Sequence, residues 1–123
     1  MEPKNIKEFT DKERYDYFIE QALEHQEVWL LQAQDGLYAM FEDDEAKQYI
    51  PVWPANEFSS FYATGDWEGY QSERMPLREF IDWMQELRDD QIFIGVFPDE
   101  SMHAMATDPI ALKKQLKQGL KQI

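Results

Sequence analysis

Chemistry in this sequence is best sought among Trp53, Asp66, Trp67, Glu68, Tyr70 and Arg74, which stand on either side of a short helical stretch. Two indoles and a phenol, with an arginine and two carboxylates beside them, have the makings of an aromatic-walled cleft whose rim anchors an anion on Arg74. A small molecule or a peptide would suit such a cleft. The plainer reading is that both tryptophans pin the helix to a sheet, since large aromatics are mostly buried. Trp83 is a further candidate binding residue. It lies on the flank of an amphipathic helix, beside Phe80 and Leu87, where it either covers the edge of the core or meets a partner.

No residue is assigned a catalytic role. A nucleophilic mechanism needs a base beside a serine, threonine or cysteine. The chain has no cysteine, and its two histidines, His25 and His103, have no motif around them. His25 falls at a helix C-terminus, where a positive charge is favourable. Glu42-Asp43-Asp44-Glu45 lacks the alternate-position acids, central glycine and distal glutamate of a calcium loop. It reads as a solvated turn, and no metal is expected. The five glycines are scattered rather than clustered into a phosphate loop, and no cofactor is expected. Carboxylate pairs do acid–base work only where burial separates their pKa values. Among twenty-five acids such pairs arise by chance, and none stands out.

The charge balance limits the partners. Twelve bases against twenty-five acids give a net charge of −13 over 123 residues, with a pI near 4.4. Phosphate backbones and anionic membrane surfaces are repelled by such a chain, so neither nucleic acid nor membrane is expected as a partner. Solubility accounts for the charge, and attraction to a basic protein is the sharper alternative. Imitation of nucleic acid by carboxylates would need an ordered stripe of acids. With 43% hydrophobic and 15% aromatic residues there is ample material for one core. Residues 1–9 read as a loose lead-in without signal-peptide character, and no apolar run approaches the ~20 residues of a membrane helix. A cytoplasmic protein is expected, which suits a chain free of disulfides.

The elements that must hold these residues follow from periodicity. Thr10-Asp11-Lys12-Glu13 has the form of a capping box. Behind it Tyr15, Phe18, Ile19, Ala22 and Leu23 keep the spacing of a helix over about 11–26. Val28–Ala33 and Leu37–Phe41 flank Asp35-Gly36, a hairpin signal, and Lys47–Trp53 completes an antiparallel meander. Pro51 belongs at a sheet edge, a bulge or a strand end, and Pro54 is set for the first turn of a helix. Trp67–Arg74 reads as a short strand. Pro76 opens a helix whose inner stripe is Leu77, Phe80, Ile81, Met84 and Leu87. Ile92–Phe97 is the most apolar strand and is placed centrally, with Gly95 marking a close approach. Ser101–Thr107 is a weaker strand, and Asp108-Pro109 caps a last helix lined by Leu112, Leu116, Leu120 and Ile123. The order α-β-β-β-α-β-α-β-β-α makes one α+β domain over 1–123, a mostly antiparallel sheet with three to four helices packed on it.

Trp29, Ile50-Pro51-Val52-Trp53-Pro54, Gly65-Asp66-Trp67-Glu68, Pro76-Leu77-Arg78-Glu79-Phe80 and Ile94-Gly95-Val96-Phe97-Pro98 occur in that order. The set resembles a family of small bacterial proteins, domain of unknown function 2750, over residues 28–116. The resemblance implies a compact α+β domain, no assigned activity and no catalytic residue. Two functions fit these observations. One is a small acidic, non-catalytic cytoplasmic module that binds a basic protein partner. The other is a small-molecule domain, sensory or enzymatic, with a cleft near Trp53 and Trp67.

Overall fold

The computed structural model describes residues 9–42, 47–61, 69–99, 104 and 106–121. The chain begins as its capping box dictates. Thr10 N donates to Glu13 Oε1 at 3.0 Å and Glu13 N to Thr10 Oγ1 at 3.1 Å, which starts α1 (Asp11–His25). Gln26, left-handed at φ +58, ends the helix and turns the chain into β1 (Glu27–Gln32). There follow β2 (Phe41–Glu42), β3 (Gln48–Val52), α2 (Asn56–Phe61), β4 (Gln71–Pro76), α3 (Leu77–Asp89), β5 (Phe93–Val96), β6 (Ala106–Thr107) and α4 (Pro109–Leu120). The sequence of helices and strands is the one the periodicity predicts, and the class is α+β.

The strands form two small sheets. β1 pairs antiparallel with β4, and a four-stranded sheet runs β2-β3-β5-β6. In the latter, β3 and β5 are parallel and the outer pairings antiparallel. The central place expected for Ile92–Phe97 is therefore met by β5. The sheets are joined at Trp29 and Trp53, each of which donates its N–H to the other's carbonyl at 2.9 Å.

The meander needs correcting. A hairpin does form at Asp35-Gly36, with Gly36 at φ +91 and Leu37 N donating to Asp35 Oδ1 at 3.1 Å. Its second arm, however, is split between two partners. Ala39 N reaches back to Leu31 O at 2.8 Å, whereas Phe41 and Glu42 pair with Tyr49 and Gln48 of β3. The long partner of β1 is β4, on its other edge, while on the arm's edge Trp53 takes up the pairing at Trp29 once the arm has turned away to β3. Pro54 precedes α2 rather than opening it. Ala55 O accepts from Phe58 N at 3.2 Å, so the helix starts later than the proline predicts.

Pro51 sits in β3, between β2 and β5, and its missing N–H leaves no gap in the ladder. Val52 O accepts from Phe97 N on the β5 side, so alternation turns residues 49, 51 and 53 to the opposite flank. There Tyr49 pairs with Phe41 and Trp53 with Trp29, and residue 51 falls between the two pairings. Opposite Pro51 on β5 stands Gly95, and the Tyr49 ring lies where a Cβ of residue 95 would be. This is the close approach the glycine announces.

The expected inner stripe of α3, Leu77 to Leu87, is buried throughout. Asp108 Oδ1 accepts from Ile110 N at 2.8 Å and caps α4, whose Leu112 and Leu116 are buried. Gln71–Pro76 overlaps the short strand expected over Trp67–Arg74. Residues 62–68, 100–103, 105 and 122–123, with parts of several sequence expectations, lie outside the described residues.

One buried charge has no sequence signal. Arg14 is 6% exposed. Its Nε donates to Phe97 O at 3.1 Å and its Nη1 to Phe9 O at 2.7 Å, while Nη2 pairs with Asp11. Phe97 is held left-handed at φ +47, a costly conformation for a bulky residue, with its N–H bonded to Val52 and its C=O to Arg14. Its ring packs on Phe58 (centroids 4.9 Å apart) and on Tyr17 (5.9 Å).

Arg14→Met should therefore cost about 3 kcal/mol in chemical denaturation, the scale for breaking a buried charge pair. Lys12→Met, at an exposed pair with Asp16, should leave the midpoint unmoved. Gly95→Ala should destabilise by roughly 1–3 kcal/mol through overpacking against Tyr49. The penalty should shrink in the Tyr49→Ser background if that ring is the obstacle.

Candidate functional site

The residues singled out by sequence do not share one environment. Trp53 has no exposed surface and packs in the core, so it presents no wall to an open cleft. Tyr70 is half-buried against the same core. Asp66, Trp67 and Glu68 lie outside the described residues.

Arg74 stands on β4 directly opposite Trp29 on β1. Its Nε donates to Glu27 Oε1 at 2.6 Å, and Trp29 Nε1 donates to the other oxygen of that carboxylate at 2.8 Å. Glu27 and Trp29 are two apart on one strand and so share a face. Arg74 completes the group from the neighbouring strand. Glu27 is held below the usual carboxylate range, first by the hydrogen bond from Arg74 and then by that from Trp29, against the opposing effect of burial. Arg74 is thus engaged by a carboxylate of its own chain. Sequence reasoning missed Glu27 and Trp29 as its partners because only the β1–β4 register brings them to it.

Trp83 has a different companion. On α3 it faces Tyr38, from the arm after the hairpin, with ring centroids 5.2 Å apart and planes tilted by 49°. Both rings are half-buried. Burial is the main cause that raises the Tyr38 pKa, and the charges of Glu79 and Glu73 raise it further. Glu79 lies one turn before Trp83 on α3, so the two project from the same side of that helix. Leu37 and Met40, on the same arm as Tyr38, are 68% and 39% exposed, the large hydrophobics that the described surface displays most openly. An aromatic pair, two aliphatic side chains and two carboxylates are thereby carried by α3, β4 and the hairpin arm. Tyr38 could have been flagged from its place beside an Asp-Gly turn. Its pairing with Trp83 could not, because forty-odd residues separate them.

A family profile described as "Protein of unknown function (DUF2750)" matches residues 15–116. The chain belongs to the DUF2750 family. The matched span contains Glu27, Trp29 and Arg74 as well as Tyr38, Glu79 and Trp83, so both groups belong to the DUF2750 domain proper. No curated protein matches the chain. Among the described residues of this DUF2750 domain no three histidine, aspartate or glutamate side chains gather as a metal site. Among them, too, no helix is long and apolar enough to cross a membrane.

The Glu27–Arg74 pair predicts an acid limb of stability. A carboxylate whose folded pKa lies below its ordinary value near 4.5 stabilises the fold above that pH, and the contribution disappears as pH falls through the folded pKa. Glu27→Gln should therefore be less stable than the parent at neutral pH. Urea midpoints measured downward from neutrality should converge below about pH 4.5, whereas a constant gap would exclude the linkage.

Proposed function

We propose that this DUF2750 chain is a non-catalytic cytoplasmic binding module that receives a positively charged protein segment. The observation that carries the reading is the half-exposed Tyr38–Trp83 pair with Glu79 and Glu73 close enough to act on the Tyr38 hydroxyl. Tryptophan and tyrosine are the side chains on which interface energy concentrates, because they cover large areas at small entropic cost. Their faces also attract ammonium and guanidinium groups, and neighbouring carboxylates strengthen that attraction. Leu37 and Met40 add exposed apolar surface for the aliphatic part of a partner. The net charge of −13 steers cations toward the domain from a distance and repels polyanions. A cysteine-free chain loses nothing in a reducing compartment, which supports the cytoplasmic assignment.

The test is calorimetric titration with an amphipathic lysine- and arginine-rich peptide and with a counterpart carrying glutamates at the basic positions. The basic peptide should bind, and its affinity should fall as salt rises. Trp83→Ala should cost about 2 kcal/mol of binding, the scale of an interface anchor. Glu79→Gln should weaken binding less and flatten the salt dependence. Equal binding of both peptides, or an unaffected Trp83→Ala variant, would overturn the reading.

A further inference from the structure

The β1–β4 ladder leaves one row of backbone groups facing outward. Trp29 gives both its N–H and its C=O to Trp53, and Leu31 O accepts from Ala39 N, so these residues of β1 turn their backbone groups away from β4. Their partners across the ladder are Arg74 and Ser72, which are therefore non-hydrogen-bonded pairs. The N–H and C=O of Ser72 and Arg74 point to the far side of β4. Among the described residues no strand stands there, and neither residue makes a further backbone bond. Gln71, Arg74 and Pro76 are exposed along this edge. We infer that the outer edge of β4 takes an extended, positively charged segment of a protein partner as an added antiparallel strand. The inference rests on the reading above for the sign of the partner's charge, and adds where the partner's backbone is held.

Charge decides what the edge accepts. Glu73 lies between the two outward-facing residues, half-buried, and its carboxylate makes no ion pair among the described residues. On a strand added outside β4, Ser72 and Arg74 exchange the hydrogen bonds and Glu73 takes the non-hydrogen-bonded position, where side chains approach closest. A lysine or arginine opposite Glu73 completes a cross-strand ion pair, whereas a carboxylate there is repelled. Arg74 does not offset that charge, because it projects from the other face of the sheet and is held by Glu27. The net charge of −13 acts in the same direction.

The same geometry disfavours a second copy of this chain. The antiparallel register that pairs Ser72 of one copy with Arg74 of the other uses all four outward groups, but it sets Glu73 against Glu73. Shifting the register to bring in residue 76 loses a donor, because proline has no N–H. Edges are commonly guarded by prolines and charges. Here that guard rejects like-charged strands and leaves a basic one admitted. Gln71, Gln32 and Tyr38 stand in one row across the sheet, so the edge and the aromatic pair belong to one face of the domain.

Amide hydrogen exchange on the full chain tests the inference, with a short peptide of alternating lysine and threonine and its glutamate–threonine counterpart. In the free protein Ser72 and Arg74 should exchange fast, and Glu73 and Met75, which face β1, slowly. The lysine peptide should slow Ser72 and Arg74 about tenfold, the scale of one hydrogen bond, and leave Glu73 and Met75 as they were. Ser72→Pro removes one outward N–H without touching the β1 ladder, and should weaken binding about tenfold. Ser72→Ala loses only the hydroxyl that meets Ser59 and should bind like the parent. If Ser72→Pro does not fold, the exchange pattern of the parent decides. The inference is overturned if the two serine variants bind alike, if the lysine peptide leaves Ser72 and Arg74 unprotected, or if the glutamate peptide protects them equally. Protection that rises with protein concentration alone would put a second copy on the edge and overturn it too. Loss of binding in Trp83→Ala but not in Ser72→Pro would uphold the aromatic reading and remove the edge, and the reverse would uphold the edge alone.

Discussion

The two backbone hydrogen bonds exchanged by Trp29 and Trp53 hold this fold together. They tie a two-stranded sheet to a four-stranded one, and they close the stretch of the β1 edge that the 37–39 arm leaves uncovered. Because Trp53 directly follows β3 and Trp29 lies within β1, the link also fixes where β4 stands relative to the parallel β3–β5 pair. The Trp53 ring is sealed beneath the junction, where a large apolar side chain excludes water from the bonds above it. Trp29 is left half-exposed, and its indole N–H is taken by Glu27, which Arg74 holds from the next strand.

A second constraint acts at the other end of β5. Phe97 bends the chain sharply out of the sheet in a conformation that a phenylalanine avoids when free. A bond from its N–H to Val52 and a bond from Arg14 to its carbonyl hold it there. Burying a guanidinium is costly unless its donors are satisfied. Here they reach two carbonyls and a carboxylate, so α1 is joined to the sheet by polar contacts as well as by Phe18 and Ala22. The Tyr49 ring over Gly95 is the apolar counterpart, a place where only a missing side chain lets a ring lie against the strand.

On the outside, the same framework separates two kinds of surface. The hairpin arm and α3 bring the Tyr38 and Trp83 rings together, with the charges of Glu79 and Glu73 acting on Tyr38. The α3–β5 corner and the cap of α4 bring opposite charges beside Ile92, Phe93 and Pro109. Both lie on a domain with a net charge of −13, and they differ in their short-range arrangement of charge.

Much of the architecture could be read from residue order alone. The capping box at Thr10, the stripe from Leu77 to Leu87, the Asp35-Gly36 turn and the Asp108 cap all depend on neighbours within a turn or two, and local patterns carry that information. The class, the order of elements and the central place of β5 followed from them. Strand partners did not, because register is decided by which distant segment completes a ladder. The split of the 37–42 arm, the β1–β4 pairing and the Trp29–Trp53 junction therefore became visible only in three dimensions. The same holds for the surfaces: Trp83 was recognisable as an amphipathic-flank aromatic, but its contact with Tyr38 and the grouping of Lys47, Arg88 and Asp108 depend on long-range packing. Composition determined that the domain is anionic and built around an aromatic-rich core. Only the tertiary structure decided which aromatic rings reach the surface, because burial is settled by what packs on a side chain and not by its spacing in the chain.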